Sequence, residues 1–274
     1  MCFCAGMILL RLTAFFAVIL VAGYDLSAQA QSASKQNYPA VIKDSTERRA
    51  RAEREWRRML DAYSVPQTPP DLYPITYTPR SLLGVTGGIK LISFTPEPGS
   101  EGVALREAVR RFLDRWRELL GAEPAAVSLV SNDGSGDTQR LTYKQANYAF
   151  PIAGNAGEMV AVVSRDGRLL QLDSRFIPVV ELPSRPSLDR DSAAKRVVGR
   201  TFSYSDIAGH EQRTQVGGLD QVTVKRLVVL PVEKGDSTEV HLAWEIVAGK
   251  QLSWTIYIDA MSGQDLRVNQ NFQT

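Results

Sequence analysis

Trp254-Thr255-Ile256-Tyr257-Ile258-Asp259-Ala260-Met261-Ser262-Gly263-Gln264-Asp265-Leu266 is the stretch whose reading decides the fold. Trp254, Ile256 and Ile258 are apolar at alternate positions, the two-residue period of a half-buried β-strand. Asp259 to Gly263 then supplies turn chemistry: an Asp that accepts from nearby backbone amides and a Gly able to take positive φ. Leu266 and Val268 resume the alternation. A hairpin is therefore expected here, inside a larger sheet, because an isolated hairpin is marginal in water.

Working outward, Val222–Val232, Glu239–Val247 and Asp265–Asn269 read as partner strands, with turns at Lys234-Gly235-Asp236 and Ala248-Gly249-Lys250. Upstream, Ser187 is a plausible N-cap for a helix through Ala193, Ala194, Val197 and Val198, with Gly199 near its end. Residues 203–219 are polar and Gly-containing and read as a long loop. The first half repeats this plan. Leu105, Ala108, Val109, Phe112, Leu113, Trp116, Leu119 and Leu120 form one helical stripe closed by Gly121. Strands 126–131 and 139–146 flank Asn132–Gly136, and strands 157–164 and 169–177 flank Arg165-Asp166-Gly167. The order is helix, then antiparallel meander, twice.

At the N-terminus Arg11 lies in an apolar run that continues to Gly23, and Ala28-Gln29-Ala30 has the small-x-small form of a cleavage site. Residues 1–30 are expected to be a cleaved secretory signal; the alternative is an uncleaved anchor, since about 17–25 apolar residues suffice to span. Cys2 and Cys4, the two cysteines of the chain, fall in this segment, so the mature protein is expected to have neither disulfide nor thiolate. Its removal takes away Arg11 and Asp25 and leaves the net charge at +2, which points to neither nucleic acid nor an acidic membrane as the main partner. The expectation is an extracellular or periplasmic protein, with no stable membrane insertion after cleavage.

Residues 31–43 are small and polar and read as a disordered leader. From Ser45, Ala52, Trp56, Met59, Leu60 and Tyr63 fall at helical spacing amid many Arg and Glu, an amphipathic helix with a salt-bridged outer face. Pro66, Pro69, Pro70, Pro74 and Pro79 then predict an extended connector. Trp56, Tyr63, Tyr73, Tyr77 and Phe272 lie outside both predicted cores, and packing of the arm and tail on the body accounts for them.

A search for reactive groups assigns no catalytic, cofactor-binding or metal-ligating residue. His210-Glu211-Gln212-Arg213-Thr214 opens like the zinc-protease HExxH motif, but Thr214 stands where the second imidazole is required. His241, beside Leu242 and Trp244 in a predicted strand, reads as a partly buried, hydrogen-bonded histidine. Asp133-Gly134-Ser135-Gly136-Asp137 lacks the distal Glu of a calcium loop. Gly84, Gly87 and Gly88 lack the Lys-Ser or Lys-Thr of a phosphate loop. Edge strands remain as a way of binding another chain.

Ala243-Trp244-Glu245-Ile246, followed by Trp254 to Gln264, resembles the ending of a PepSY domain. The first half is similar to the FTP (fungalysin/thermolysin propeptide) module at Thr78–Gly84, at the helix end Phe112–Gly121, at Thr142-Tyr143-Lys144-Gln145, at Phe150-Pro151-Ile152 and at Asp166-Gly167-Arg168-Leu169. The resemblance covers about residues 76–270. It implies an α+β protein of two helix-plus-antiparallel-sheet (cystatin-like/PepSY-like) modules in tandem. The division is a signal at 1–30, leader, Arg-rich helix and connector at 31–75, an FTP-like module at 76–183 and a PepSY-like module at 184–274. In that family the propeptide assists and inhibits a thermolysin-like zinc peptidase in the same chain. This sequence departs from the pattern: it carries no HExxH, and it reads Phe150 to Gly157 where the family has a Gly-Val-Pro-Val segment and paired glycines. The resemblance thus implies a secreted, non-catalytic protein that binds a thermolysin-like metallopeptidase in trans, as inhibitor or folding assistant. The alternatives are an envelope or extracellular protein-interaction module and a remnant of a truncated peptidase precursor.

Overall fold

A computed structural model describes residues 37–82, 84–92 and 99–273; the expected signal and residues 31–36 of the leader lie outside them. The fold is α+β, with mixed helix and antiparallel sheet.

Strand β1 (Ala40–Lys43) and helix α1 (Thr46–Ala62) come first, then the short strands β2 (Asp71–Leu72), β3 (Pro79–Ser81) and β4 (Ile89–Lys90). Helices α2 (Glu101–Arg115) and α3 (Arg117–Leu120) divide the predicted long helix at Trp116, and Gly121 ends it with φ 69°. Strands β5 (Val127–Ser135), β6 (Thr138–Gln145), β7 (Glu158–Ser164) and β8 (Arg168–Ser174) complete a five-stranded sheet ordered β4-β8-β7-β6-β5. Its first turn sits at Gly136-Asp137, later than Asn132–Gly136, because Ser135 still pairs with Thr138.

Helix α1 belongs to the core of this sheet. Trp56, Met59 and Leu60 are fully buried in one cluster with Phe112, Leu120, Leu141, Met159 and Phe176. Arg49, Arg51 and Arg58 pair along its outer face with Glu53, Glu47 and Glu55. The connector is pinned as well: Trp56 donates to the Thr68 carbonyl at 2.8 Å, and β2 pairs with β3.

The second sheet follows helix α4 (Arg190–Lys195) and comprises β11 (Val222–Lys234), β12 (Ser237–Ala248), β13 (Trp254–Asp259) and β14 (Asp265–Gln270). The helix is capped by Asp189, which accepts from the Ser192 amide at 2.8 Å, and not by Ser187. Residues 203–219, expected as loop, contain most of a two-stranded hairpin, β9 (Thr201–Ser205) with β10 (Glu211–Gln215). Strand alternation was masked there because the residues are polar on the side away from the body.

The long β12 shares one of its edges between two strands: β13 pairs with Ala243–Ala248, and β1 pairs with Ser237–Val240. Residues 40–43, expected as leader, are thus part of this sheet. Its other edge pairs with β11 throughout. Arg267 on β14 reaches the Pro231 carbonyl on β11 at 3.0 Å. In a flat sheet those strands would lie roughly 14 Å apart, so the sheet curls strongly.

Candidate functional site

Strand β13 carries the predicted alternation on one face, where Trp254, Ile256 and Ile258 pack on Ala193 and Val197 of the α4 region. The other face is covered too. Tyr257 packs with Ala153, Val228, Leu230 and Ala243, and Asp259 is 2% exposed. The strand is therefore buried on both faces rather than one.

Asp259 makes the turn, as its position indicates: Oδ1 accepts from the Met261 and Ser262 amides, both at 2.8 Å. Its second oxygen does something the hairpin does not require. Oδ2 accepts from the Tyr38 hydroxyl at 2.8 Å and lies 2.7 Å from His241 Nδ1. The Tyr38 oxygen also accepts from the Leu242 amide at 3.0 Å. It fills the gap on the β12 edge between the last residue paired with β1 and the first paired with β13. His241, 6% exposed, has its Nε2 3.2 Å from Glu239 Oε2.

Burial pushes the Asp259 carboxyl up, but the bonds from His241, the Ser262 and Met261 amides and Tyr38 outweigh it, and its pKa falls to about 2. Burial, reinforced by the Asp259 charge, pushes the Tyr38 phenol up. Both imidazole nitrogens are committed to carboxylates, which leaves neither for a substrate. The cluster can hold the arm; it is not arranged to transfer a proton to a ligand.

The other sequence candidates are placed as follows. His210 ends the exposed turn between β9 and β10, and Glu211 to Gln215 form a strand, so the HExxH-like run is not helical. Asp133 lies in β5, where it accepts from Ser131. Among the described residues no group of three or more His, Cys, Asp or Glu is placed to hold a metal ion. Of the residues that carry the family resemblance, Gln145 bonds the Ile177 backbone in both directions at 2.9 Å. Pro151 and Ala153 bond the Val229 backbone of β11 at 2.9 Å, joining the two sheets. Gly157 takes φ 67°, which a side chain would strain, and a Cβ there would also crowd Ile152.

Among the features open to a partner are a sheet edge and a cleft. Among the described residues β14 has no strand on its outer side, and it leads directly into Asn271-Phe272-Gln273. Phe272 packs edge-on against Trp254 (5.1 Å) and Tyr204 (5.4 Å), which seats the tail against the β9–β10 hairpin. At the seam between the sheets, a cleft of about 490 Å³ is lined in part by Tyr73, Arg175, Thr238 and Arg267.

Among known proteins, neither a scan against family models nor a search of curated sequences finds a match. Among solved structures the chain is similar to the Bacillus megaterium YpeB C-terminal domain, at 13% identity and a TM-score of 0.32. The alignment covers 63% of this chain, and the chain spans 66% of that domain's length.

Proposed function

We propose that this is a secreted, non-catalytic, propeptide-like protein that binds a thermolysin-like metallopeptidase as inhibitor or folding assistant. Under this reading the first sheet with its helices is an FTP-like module and the second a PepSY-like module. The observation that carries the reading is the open edge of β14, continuous with the tail. An open antiparallel edge binds an extended segment of another protein through main-chain hydrogen bonds and needs no catalytic pocket. The motif order quoted from the sequence selects the partner class. The sealed Tyr38–Asp259–His241 cluster fits a scaffold better than an enzyme, because its reactive groups are spent on one another.

The test is direct. The purified protein lacking residues 1–30 is mixed with thermolysin-like metallopeptidases of the same organism, and binding, proteolytic activity and refolding yield of the peptidase are followed. Stoichiometric binding with reduced activity or improved refolding is expected. Absence of binding, with activity and refolding yield unchanged, overturns the proposal.

A further inference from the structure

In the first sheet, Leu129 of β5 is paired directly with Tyr143 of β6, so both side chains point to the face that carries the helices. Tyr143 is 6% exposed and Leu129 40%. Helix α2 therefore covers β6 and stops short of β5, and a groove runs between the helix and this end strand. On the helix side it is lined by Val103, Arg106, Arg110 and Leu113, spaced three, four and three residues apart along one flank. On the sheet side Val127, Leu129 and the Tyr143 ring complete a mostly apolar floor. The groove encloses about 370 Å³, within the roughly 300–1,000 Å³ of small-molecule sites.

Its polar groups are few and of one kind. Arg110 is occupied by Glu107, at 2.9 and 3.1 Å, and Arg111 approaches the same carboxylate at 3.5 Å. Arg106 makes neither a hydrogen bond nor an ion pair among the described residues, and the Tyr143 hydroxyl makes no hydrogen bond among them. Burial pushes the Tyr143 phenol up, against the charges of Arg106 and Arg110, which places cations beside the hydroxyl. Two donors thus meet at an apolar channel. A guanidinium fork matches the two oxygens of a carboxylate, and a phenol can donate to one of them as well. An added peptide strand suits the place less well. The β5 edge is broken beside the groove by a bulge between Leu129 and Ser131, which interrupts the run of main-chain groups that a strand would need.

We propose that the groove between α2 and β5 binds a medium-chain aliphatic carboxylate, its chain against Val103, Leu113 and Leu129 and its head held by Arg106 and the Tyr143 hydroxyl. This site lies in the first sheet and does not depend on the peptidase reading.

The experiment titrates decanoate into the purified protein lacking residues 1–30 by isothermal calorimetry, with decan-1-ol and a short peptide ending in a free C-terminal leucine as comparison ligands. One-to-one binding of decanoate is expected, with decan-1-ol at least about tenfold weaker because it leaves the arginine unpaired. Arg106→Gln should weaken decanoate about ten- to a hundred-fold, and Tyr143→Phe about two- to tenfold. Leu129→Asp should weaken it at least about tenfold by putting a charge on the chain's path. Arg117→Gln, outside the groove, should leave the affinity unchanged. Circular dichroism and thermal melting verify folding, and Leu129→Ser replaces the Asp variant if that one misfolds. No binding of decanoate by the wild type overturns the proposal, as does equal binding by the wild type, Arg106→Gln and Leu129→Asp. Arg106-dependent binding of the peptide without binding of decanoate assigns the groove to a chain terminus and overturns it too.

Discussion

Asp259 does two jobs with two oxygens, and only one of them is written in its neighbourhood. The Oδ1 bonds to Met261 and Ser262 are local, so Asp-x-x-x-Gly is enough to expect them. The Oδ2 bonds reach Tyr38, 221 residues away, and His241, 18 residues away. No spacing rule connects those positions; only the strand pairing brings them together. Removing the phenol oxygen in Tyr38→Phe leaves the Leu242 amide and a buried carboxylate each short of a partner. A destabilisation of about 1–3 kcal/mol is expected, read from the denaturant midpoint.

The same carboxylate sets an acid limit. With a folded pKa of about 2 against an ordinary 3.8, Asp259 contributes stability in full above pH ~4, and that contribution drains away as the pH falls through 2. The size is about 2 kcal/mol. Asp259→Asn should be less stable at neutral pH and should flatten the stability profile between pH 4 and 2; an unchanged slope there would show that another group carries it.

At the scale of elements, the strands and helices with strong periods were legible. The α2 stripe, the four strands of each meander and the glycine ending α3 follow from side-chain pattern and turn residues alone. What was not legible is what an element packs against. Helix α1 has an apolar stripe of ordinary width, and nothing local says that Trp56, Met59 and Leu60 enter the first core rather than lie against the surface. Strand β1 is four residues long and only Ile42 is buried in it, too little for a period. The β9–β10 hairpin was hidden because its outward residues are Ser, Glu, Gln and Arg and its inward Phe202 and Tyr204 serve an aromatic cluster rather than a second sheet. Placement of α1 in the core predicts that Trp56→Ala costs about 3–5 kcal/mol, measured by equilibrium unfolding. A cost below 1 kcal/mol would mean that the arm only rests on the body.

Across the whole molecule, the two sheets hold each other by exchange. The arm that supplies α1 to the first core sends β1 into the second sheet, while the Pro151–Ala153 segment of the first unit pairs with β11. Between them lies a shared apolar layer of Ile42, Ile75, Ile152, Ile177, Val229 and Val240. Backbone contacts therefore cross the expected boundary near Pro183 in both directions. The position of β1 also carries a consequence for synthesis. Its partners, Ser237–Val240, are almost two hundred residues later in the chain. Closing so long a loop is entropically slow, and the partner residues do not exist until the chain has been made past residue 240. The first strand among the described residues is thus among the last to dock. Stalled chains ending before residue 237 should be cut by protease within residues 37–43, and chains completed past β12 and β13 should resist it. Until β12 is made, β1 is without the strand it pairs with.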